Sequence, residues 1–212
     1  MANAALSTRQ QALIPIAAFA AAGDIARLNT ALAEGLDNGV SISDAKEVLV
    51  QVYAYAGFPR SLNALGVLMK LILDRKEQGI EDDPGQDLPS KPIPQGEALL
   101  VAGTRNQTAL AGAPVKGPLF EFAPAIDNYL KTHLFGDIFE RDNLDWKDRE
   151  LATVSMLSAL SGAEPQVGAH VKISMNAGVT ADQLRQLVEV LKLKVDRNAA
   201  KRAGDALDHA LA

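Results

Sequence analysis

Apolar residues recur along this chain with the three-to-four-residue period of amphipathic helices, and no segment shows the two-residue alternation of a strand. The pattern predicts an all-α bundle. Residues 6–22 read as a first helix capped by Ser7 or Thr8, with Leu13, Ile16, Ala17 and Ala20 at helical spacing. Pro15 lies inside it, so this helix is expected to start late or to kink. Residues 25–37 form a second helix on Leu28, Leu32 and Leu36, closed by Asn38-Gly39 with the glycine left-handed. Ser41 or Ser43 caps a third helix to about Ala56, Gly57-Phe58-Pro59 interrupts it, and Leu62 to Arg75 continues as a fourth.

Residues 79–96 are dense in turn formers, among them Asp82-Asp83-Pro84-Gly85, Pro89, Pro92 and Pro94, and read as a linker or an ordered crossover arm. Helical patterning resumes over 97–111 and breaks again at 113–118. In the last third, Pro124 opens a helix to His133, Leu134–Phe139 follows, and Arg141-Asp142-Asn143 makes a turn. Asp145 caps a helix over 146–161, Gln166–Asn176 forms the next, and Thr180 with Gln183 makes a capping box for 181–195. Asn198–Leu211 closes the chain.

The stretch 38–59 is echoed at 176–198. Placing Gly39-Val40 on Gly178-Val179 keeps the order of helix, glycine turn and capped helix. Polar identities are not kept: Glu47 falls on Gln186, Gln51 on Val190, Tyr55 on Lys194, Ala31 near His170, and Ala12 close to Glu150. The chain is therefore expected to hold a first repeat over 1–78, a connector with a Pro/Gly-rich arm over 79–115, and a second repeat over 116–212.

Composition mainly removes options. The hydrophobic share of 48% is ample for a core, and few aromatics with much alanine favour closely packed helices. The net charge is −5 with no basic stripe, which argues against nucleic-acid binding. No apolar run reaches a bilayer-spanning length, so no membrane partner is expected. The N-terminus shows no secretory signal, which gives a cytoplasmic default, or a periplasmic location if a signal has been removed. There is no cysteine, which excludes disulfides, thiolate metal sites and thiol redox chemistry in this chain.

Few residues carry candidate chemistry. Arg149-Glu150 lies in the first turn of a helix, where a carboxylate is favoured by the dipole and Arg149 can pair on the surface with Asp145 or Asp148. His170 lies mid-helix. If Glu150 approaches it from the neighbouring helix, the carboxylate fixes the imidazole tautomer and suits the pair to acid/base work. Glu47, Gln51 and Tyr55 share one helix face, either a solvated stripe or a pocket wall ending at Gly57-Phe58-Pro59. His133 and His209 have no partner at metal-ligand spacing, so no metal site is expected. Nucleophile-elbow, phosphate-loop and dinucleotide motifs are absent.

Arg149-Glu150-Leu151-Ala152-Thr153, His170 and Asn176-Ala177-Gly178-Val179-Thr180 resemble the front half of a carboxymuconolactone decarboxylase domain. The run from Glu47 through Gln51 and Tyr55 to Gly57-Phe58-Pro59 resembles its back half, and His133 to Phe139 resembles the segment leading into it. The resemblance implies an alkylhydroperoxidase D-like helical bundle in two divergent tandem copies, and a homo-oligomer in which a trimer mimics a hexamer of single domains. The family's peroxidase branch uses a Cys-x-x-Cys pair, and Ala163 and Gln166 stand at the matching positions. The decarboxylase branch needs no thiol and no cofactor.

By resemblance, Glu150, His170 and Glu47 match the acid/base groups. Arg149 or Arg60 would meet a substrate carboxylate, and Gln51 and Tyr55 would shape the pocket. The expected function is a cofactor-free lyase or isomerase acting on a small carboxylate or lactone. The alternative is a non-catalytic binding or scaffold protein that kept the fold.

Overall fold

The computed structural model describes residues 5–212, and among them every regular element is helical. Four helices, α1 (Thr8–Ala22), α2 (Ile25–Asp37), α3 (Ile42–Ala56) and α4 (Phe58–Glu77), form the first unit. An extended arm leads to α5 (Glu97–Ala111), the short α6 (Pro118–Phe122) and α7 (Pro124–Tyr129), which runs on as a π-helical segment over Leu130–Ile138. The second unit is α8 (Trp146–Ser158), α9 (Glu164–Asn176), α10 (Ala181–Val190) with a π-helical end over Leu191–Val195, and α11 (Arg197–Leu211). None of these helices is long and apolar enough to cross a membrane.

The two units repeat each other in backbone detail. Gly23 and Gly162 close the first turn region with φ of 75° and 81°, and Gly39 and Gly178 the second with φ of 86° and 93°. A side chain would be strained at each, so glycine is required by the turn. Ser41 and Thr180 both make capping boxes, with Asp44 and Gln183. The expected repeat thus appears as the same order of four helices with the same punctuation.

Helices α1 and α8 lie at the centre, packed on one another. Every residue of α1 from Leu13 to Ala21 is buried, and every residue of α8 from Asp148 to Ser158. A helix covered on all sides needs small and apolar residues all round, which the run ALIPIAAFAAA supplies. The first apolar core gathers Leu13, Leu28, Leu32, Val48, Leu49 and Leu68 with Met156 of α8. The second gathers Leu151, Val154, Val167, Leu184 and Leu187 with Ile14 of α1. Each central helix therefore contributes to the core of the other unit.

Several expected boundaries move. α1 begins at Thr8, capped by Ser7 in a box with Gln10, and carries Pro15 in its interior, so it does not start late. α4 begins at Phe58 and α9 at Glu164, because Pro59 and Pro165 fall in a first turn, where no N–H is needed. α8 ends at Ser158, short of the expected 161. The segments 130–138 and 191–195 are π-helical, a wider winding that apolar periodicity does not separate from an α-helix over so few residues.

The arm is ordered. It crosses the start of α3, where the N–H groups of Ile42 and Ser43 donate to Asp83 O at 2.8 Å and Pro84 O at 3.1 Å. Helix α5 does more than connect. It packs tightly on the π segment, and Leu110 joins Leu134, Phe135, Ile138 and Phe139 in a third core. A Cβ on Gly103 would stand 1.7 Å from Lys131 O, so only glycine fits this crossing.

Candidate functional site

Helices α3, α8 and α9 bring the two expected half-motifs together within one chain. Tyr55, at the end of α3, packs against all three cores, and its ring meets the His170 ring edge-on at 5.5 Å between centroids. His170 Nδ1 lies 2.8 Å from Glu150 Oε2, inside contact distance. The Glu150 side chain is fully buried (0% exposed), whereas the His170 side chain keeps 10% of its surface. With Nδ1 held by Glu150, Nε2 is the nitrogen left to exchange a proton with another molecule.

Two buried polar atoms here lack a well-aligned hydrogen-bond partner: Glu150 Oε1 and the Tyr55 hydroxyl, which has only a loose contact with the Thr153 side chain. One offers a proton and the other a lone pair. Burial, and then the Glu150 charge, push the Tyr55 phenol well above its ordinary pKa, so it stays a donor.

Beneath this group lies a charged lattice. Gln51 Nε2 donates to Arg149 O at 3.0 Å and to Thr153 Oγ1 at 2.8 Å, while Arg149 Nη1 donates back to Gln51 Oε1 at 3.2 Å. Arg149 Nη2 donates to Glu47 Oε2 at 2.8 Å and to Arg141 O at 2.9 Å. Arg141 grips the same carboxylate, with Nη2 2.6 Å from Oε1, and Asn143 Nδ2 adds a bond of 2.9 Å. Burial alone pushes the Glu47 carboxyl up, but hydrogen bonds from Arg141, Arg149 and Asn143 outweigh it and hold the group below the usual carboxylate range.

The expected site residues therefore divide. Glu150, His170 and Tyr55 meet, and Gln51 lies behind them through Arg149. Glu47 belongs to the lattice, where two arginines keep it ionised; it has no free proton to move. Arg149 is not the surface residue that its first-turn position suggested. It is fully buried with its partners in the lattice, and Asp148 pairs instead with Arg9. Arg60 is not part of the group at all: its guanidinium is held by the carbonyl of Ala21 at the end of α1. The structure adds Arg141, Asn143 and Thr153. Arg141 stands 94 positions from Glu47 in a turn, and no periodicity in the sequence points to it. Among the described residues no three His, Asp or Glu side chains converge as metal ligands.

The repeat places a counterpart of this site between α1, α2 and the end of α10. There a cavity of about 90 Å³ is lined by Ala12, Ala31, Val190 and Lys194, among others. These are the residues that fall at or beside Glu150, His170, Gln51 and Tyr55 in the alignment of repeats. The counterpart holds neither the carboxylate–imidazole pair nor the tyrosine.

Comparison with known proteins bears on this arrangement. Residues 1–70 and 124–208 match the sequence model of the Carboxymuconolactone decarboxylase family; the first segment covers most of the first four-helix unit, and the second runs from α7 through most of the second unit. A 4-carboxymuconolactone decarboxylase of Acinetobacter baylyi (strain ATCC 33305 / BD413 / ADP1) is similar to this chain, at 31% identity over 70 residues. That match spans 33% of this chain and 52% of the relative's length. With the family matched over most of its length, the chain belongs to the carboxymuconolactone decarboxylase family.

Proposed function

We propose that this protein is a cofactor-free acid/base lyase or isomerase acting on a small carboxylate or lactone, in the manner of the decarboxylases of its family. The observation that carries the reading is the 2.8 Å contact between Glu150 and His170, with the Tyr55 ring edge-on to the imidazole. Glu150 fixes the ring so that Nε2 faces the reacting carbon. As the C–C bond to the carboxylate breaks, its electron pair stays on that carbon and spreads into the adjoining carbonyl. The Tyr55 hydroxyl donates a hydrogen bond to the oxygen that gains charge. His170 then delivers a proton to the carbon, and CO₂ leaves.

Glu47, Arg149 and Gln51 are positioning residues in this scheme. Arg149 is the residue before Glu150 on α8, so the bonds that hold it fix the register of Glu150 against His170.

The test is turnover of lactone carboxylates, with 4-carboxymuconolactone first, followed by CO₂ release. Wild-type activity is expected, with a loss of about 10²–10⁴-fold in His170→Ala, the usual worth of general acid–base catalysis. Equal turnover by the variant would sink the mechanism. A second reading, a non-catalytic binding member, is favoured by one observation: the pair is nearly closed off, with only a tenth of the His170 side chain exposed. Tight binding of a lactone carboxylate without turnover by the wild type would decide for it.

A further inference from the structure

The repeat supplies an internal control for surface grooves. A groove of about 630 Å³ lies between α9 and α11, and another of about 630 Å³ lies between α2 and α4, their counterparts in the first unit. The alignment of Gly39 on Gly178 places the two linings on one another, with Asn29 on Gly168, Asn63 on Arg202 and Lys70 on His209. A difference between the grooves is therefore a difference in side chains at one place in the fold.

That difference is free positive charge. Lys172, Arg202 and His209 line the α9/α11 groove. Arg202 Nε donates to Ser158 O at 2.7 Å, which anchors the guanidinium at the end of α8 and leaves its terminal nitrogens without a partner among the described residues. Lys172 and His209 make no hydrogen bond or ion pair among the described residues. The two acids of the groove are already engaged: Asp205 Oδ2 lies 2.6 Å from Lys201 Nζ, and Glu164 Oε1 accepts from the Gly162 N–H at 3.3 Å. In the α2/α4 groove, Asn63 and Ala33 stand where Arg202 and Lys172 do, and Lys70 is paired with Asp74 at 2.6 Å.

The floor of the α9/α11 groove is small and apolar, built from Pro165, Gly168, Ala169 and Ala206. A Cβ on Gly168 would meet nothing within 4 Å, so the space above it is open. Mostly apolar walls with a few convergent polar groups, in a volume of this size, suit a small organic ligand.

We propose that the α9/α11 groove binds a small organic anion, a carboxylate or phosphate carried on an apolar body. The planar fork of Arg202 matches either head group with two charge-assisted hydrogen bonds, and Lys172 adds a point charge beside it. His209 offers a ring nitrogen at the same rim, and the body rests on Gly168, Ala169 and Ala206. Pro165, Gly168 and Lys172 lie on one face of α9, whereas His170 is buried with Val167, Val171 and Ser174. The groove is thus separate from the Glu150–His170 pair, and the inference stands independently of the chemistry proposed above.

The test is isothermal titration calorimetry of the whole chain with phenyl phosphate, with benzoate, and with inorganic phosphate as an anion that lacks the body. One equivalent of phenyl phosphate or benzoate is expected to bind, the tighter of the two identifying the head group, with inorganic phosphate about ten-fold weaker or more. Arg202→Asn installs the counterpart's residue and is expected to weaken binding about ten-fold or more, as loss of hydrogen bonds to a charged group does. Arg202 also closes the end of α8, so Gly168→Leu gives a second reading. It fills the floor at a position where a Cβ has open space, and is expected to abolish binding with an unchanged helical spectrum. His170→Ala is expected to bind as wild type does. Failure of both organic anions to bind overturns the proposal, and so does unchanged affinity in Gly168→Leu. Loss of binding in His170→Ala overturns it by placing the anion at the Glu150–His170 pair, and inorganic phosphate binding as tightly as phenyl phosphate overturns the role of the floor.

Discussion

Gln51 and Arg149 hold each other from both sides: the Gln51 amide donates to the Arg149 carbonyl at 3.0 Å, and the Arg149 guanidinium donates to the Gln51 carbonyl oxygen at 3.2 Å. The pair ties α3 of the first unit to α8 of the second at a point with no exposure to water. Replacing Gln51 with Leu removes both bonds, together with the one to Thr153 Oγ1, and leaves buried donors and acceptors unmet. The expected cost is about 1–3 kcal/mol in urea denaturation. A value within error of zero would mean that the two side chains find other partners.

Glu47→Gln tests the other side of the lattice. It leaves the Arg149 charge buried without its counter-ion, an arrangement that costs about 3–5 kcal/mol when one partner of a buried pair is removed. The loss should appear as a lower denaturant midpoint at neutral pH with an unchanged slope. Arg141, being partly exposed, contributes less to it.

The same residue sets an acid dependence. The carboxyls of Glu47 and Asp44 are both held below their ordinary pKa: burial opposes this, and hydrogen bonds from Arg141 and Arg149 in one case and Arg9 in the other prevail. The folded state therefore binds fewer protons than the unfolded state once pH drops below the free carboxylate value, roughly 4. The stabilisation is fully present above that value and is lost as pH falls through the folded pKa. Stability measured between about pH 5 and pH 2 should fall, and Glu47→Gln should flatten the slope.

Glu150→Gln separates orientation from charge at the candidate site. The amide can still contact His170 Nδ1 but carries no charge beside the ring. Folding stability is expected to change little, and turnover to fall by about 10²-fold or more. A variant with full activity would remove Glu150 from the mechanism while leaving His170 in it.

Gly103→Ala addresses the crossing of α5 with the π segment. The new methyl would meet Lys131 O at 1.7 Å, so the helices must separate. The expected destabilisation is about 3 kcal/mol or more, at the upper end of overpacking costs, seen as a lower melting temperature.

Much of this was legible in the sequence because it depends on local chemistry. Ser7, Asp145 and Thr180 cap their helices, and Gly39 and Gly178 take the left-handed turn. The approach of Glu150 to His170 was legible only as a condition, since two neighbouring helices do not by themselves fix which faces meet. What was not legible depends on distance along the chain. A first-turn arginine such as Arg149 normally points to water, and only its packing under α3 buries it. Arg141 reaches Glu47 from a turn whose own sequence calls for nothing. The place of α5 is set by close approach at Gly103, where the informative atom is one that the residue lacks.

The cavity lined by Ala12, Ala31, Val190 and Lys194 has a consequence for how such a chain changes over time. Its backbone frame is pinned by glycines and caps like those of the other half, while its lining holds no carboxylate–imidazole pair. One copy of a doubled gene segment can thus drift in composition without endangering the architecture that both copies share. Each polypeptide is left with one position that holds a carboxylate–imidazole pair and one that does not, and the second can accept new side chains at least risk to the first.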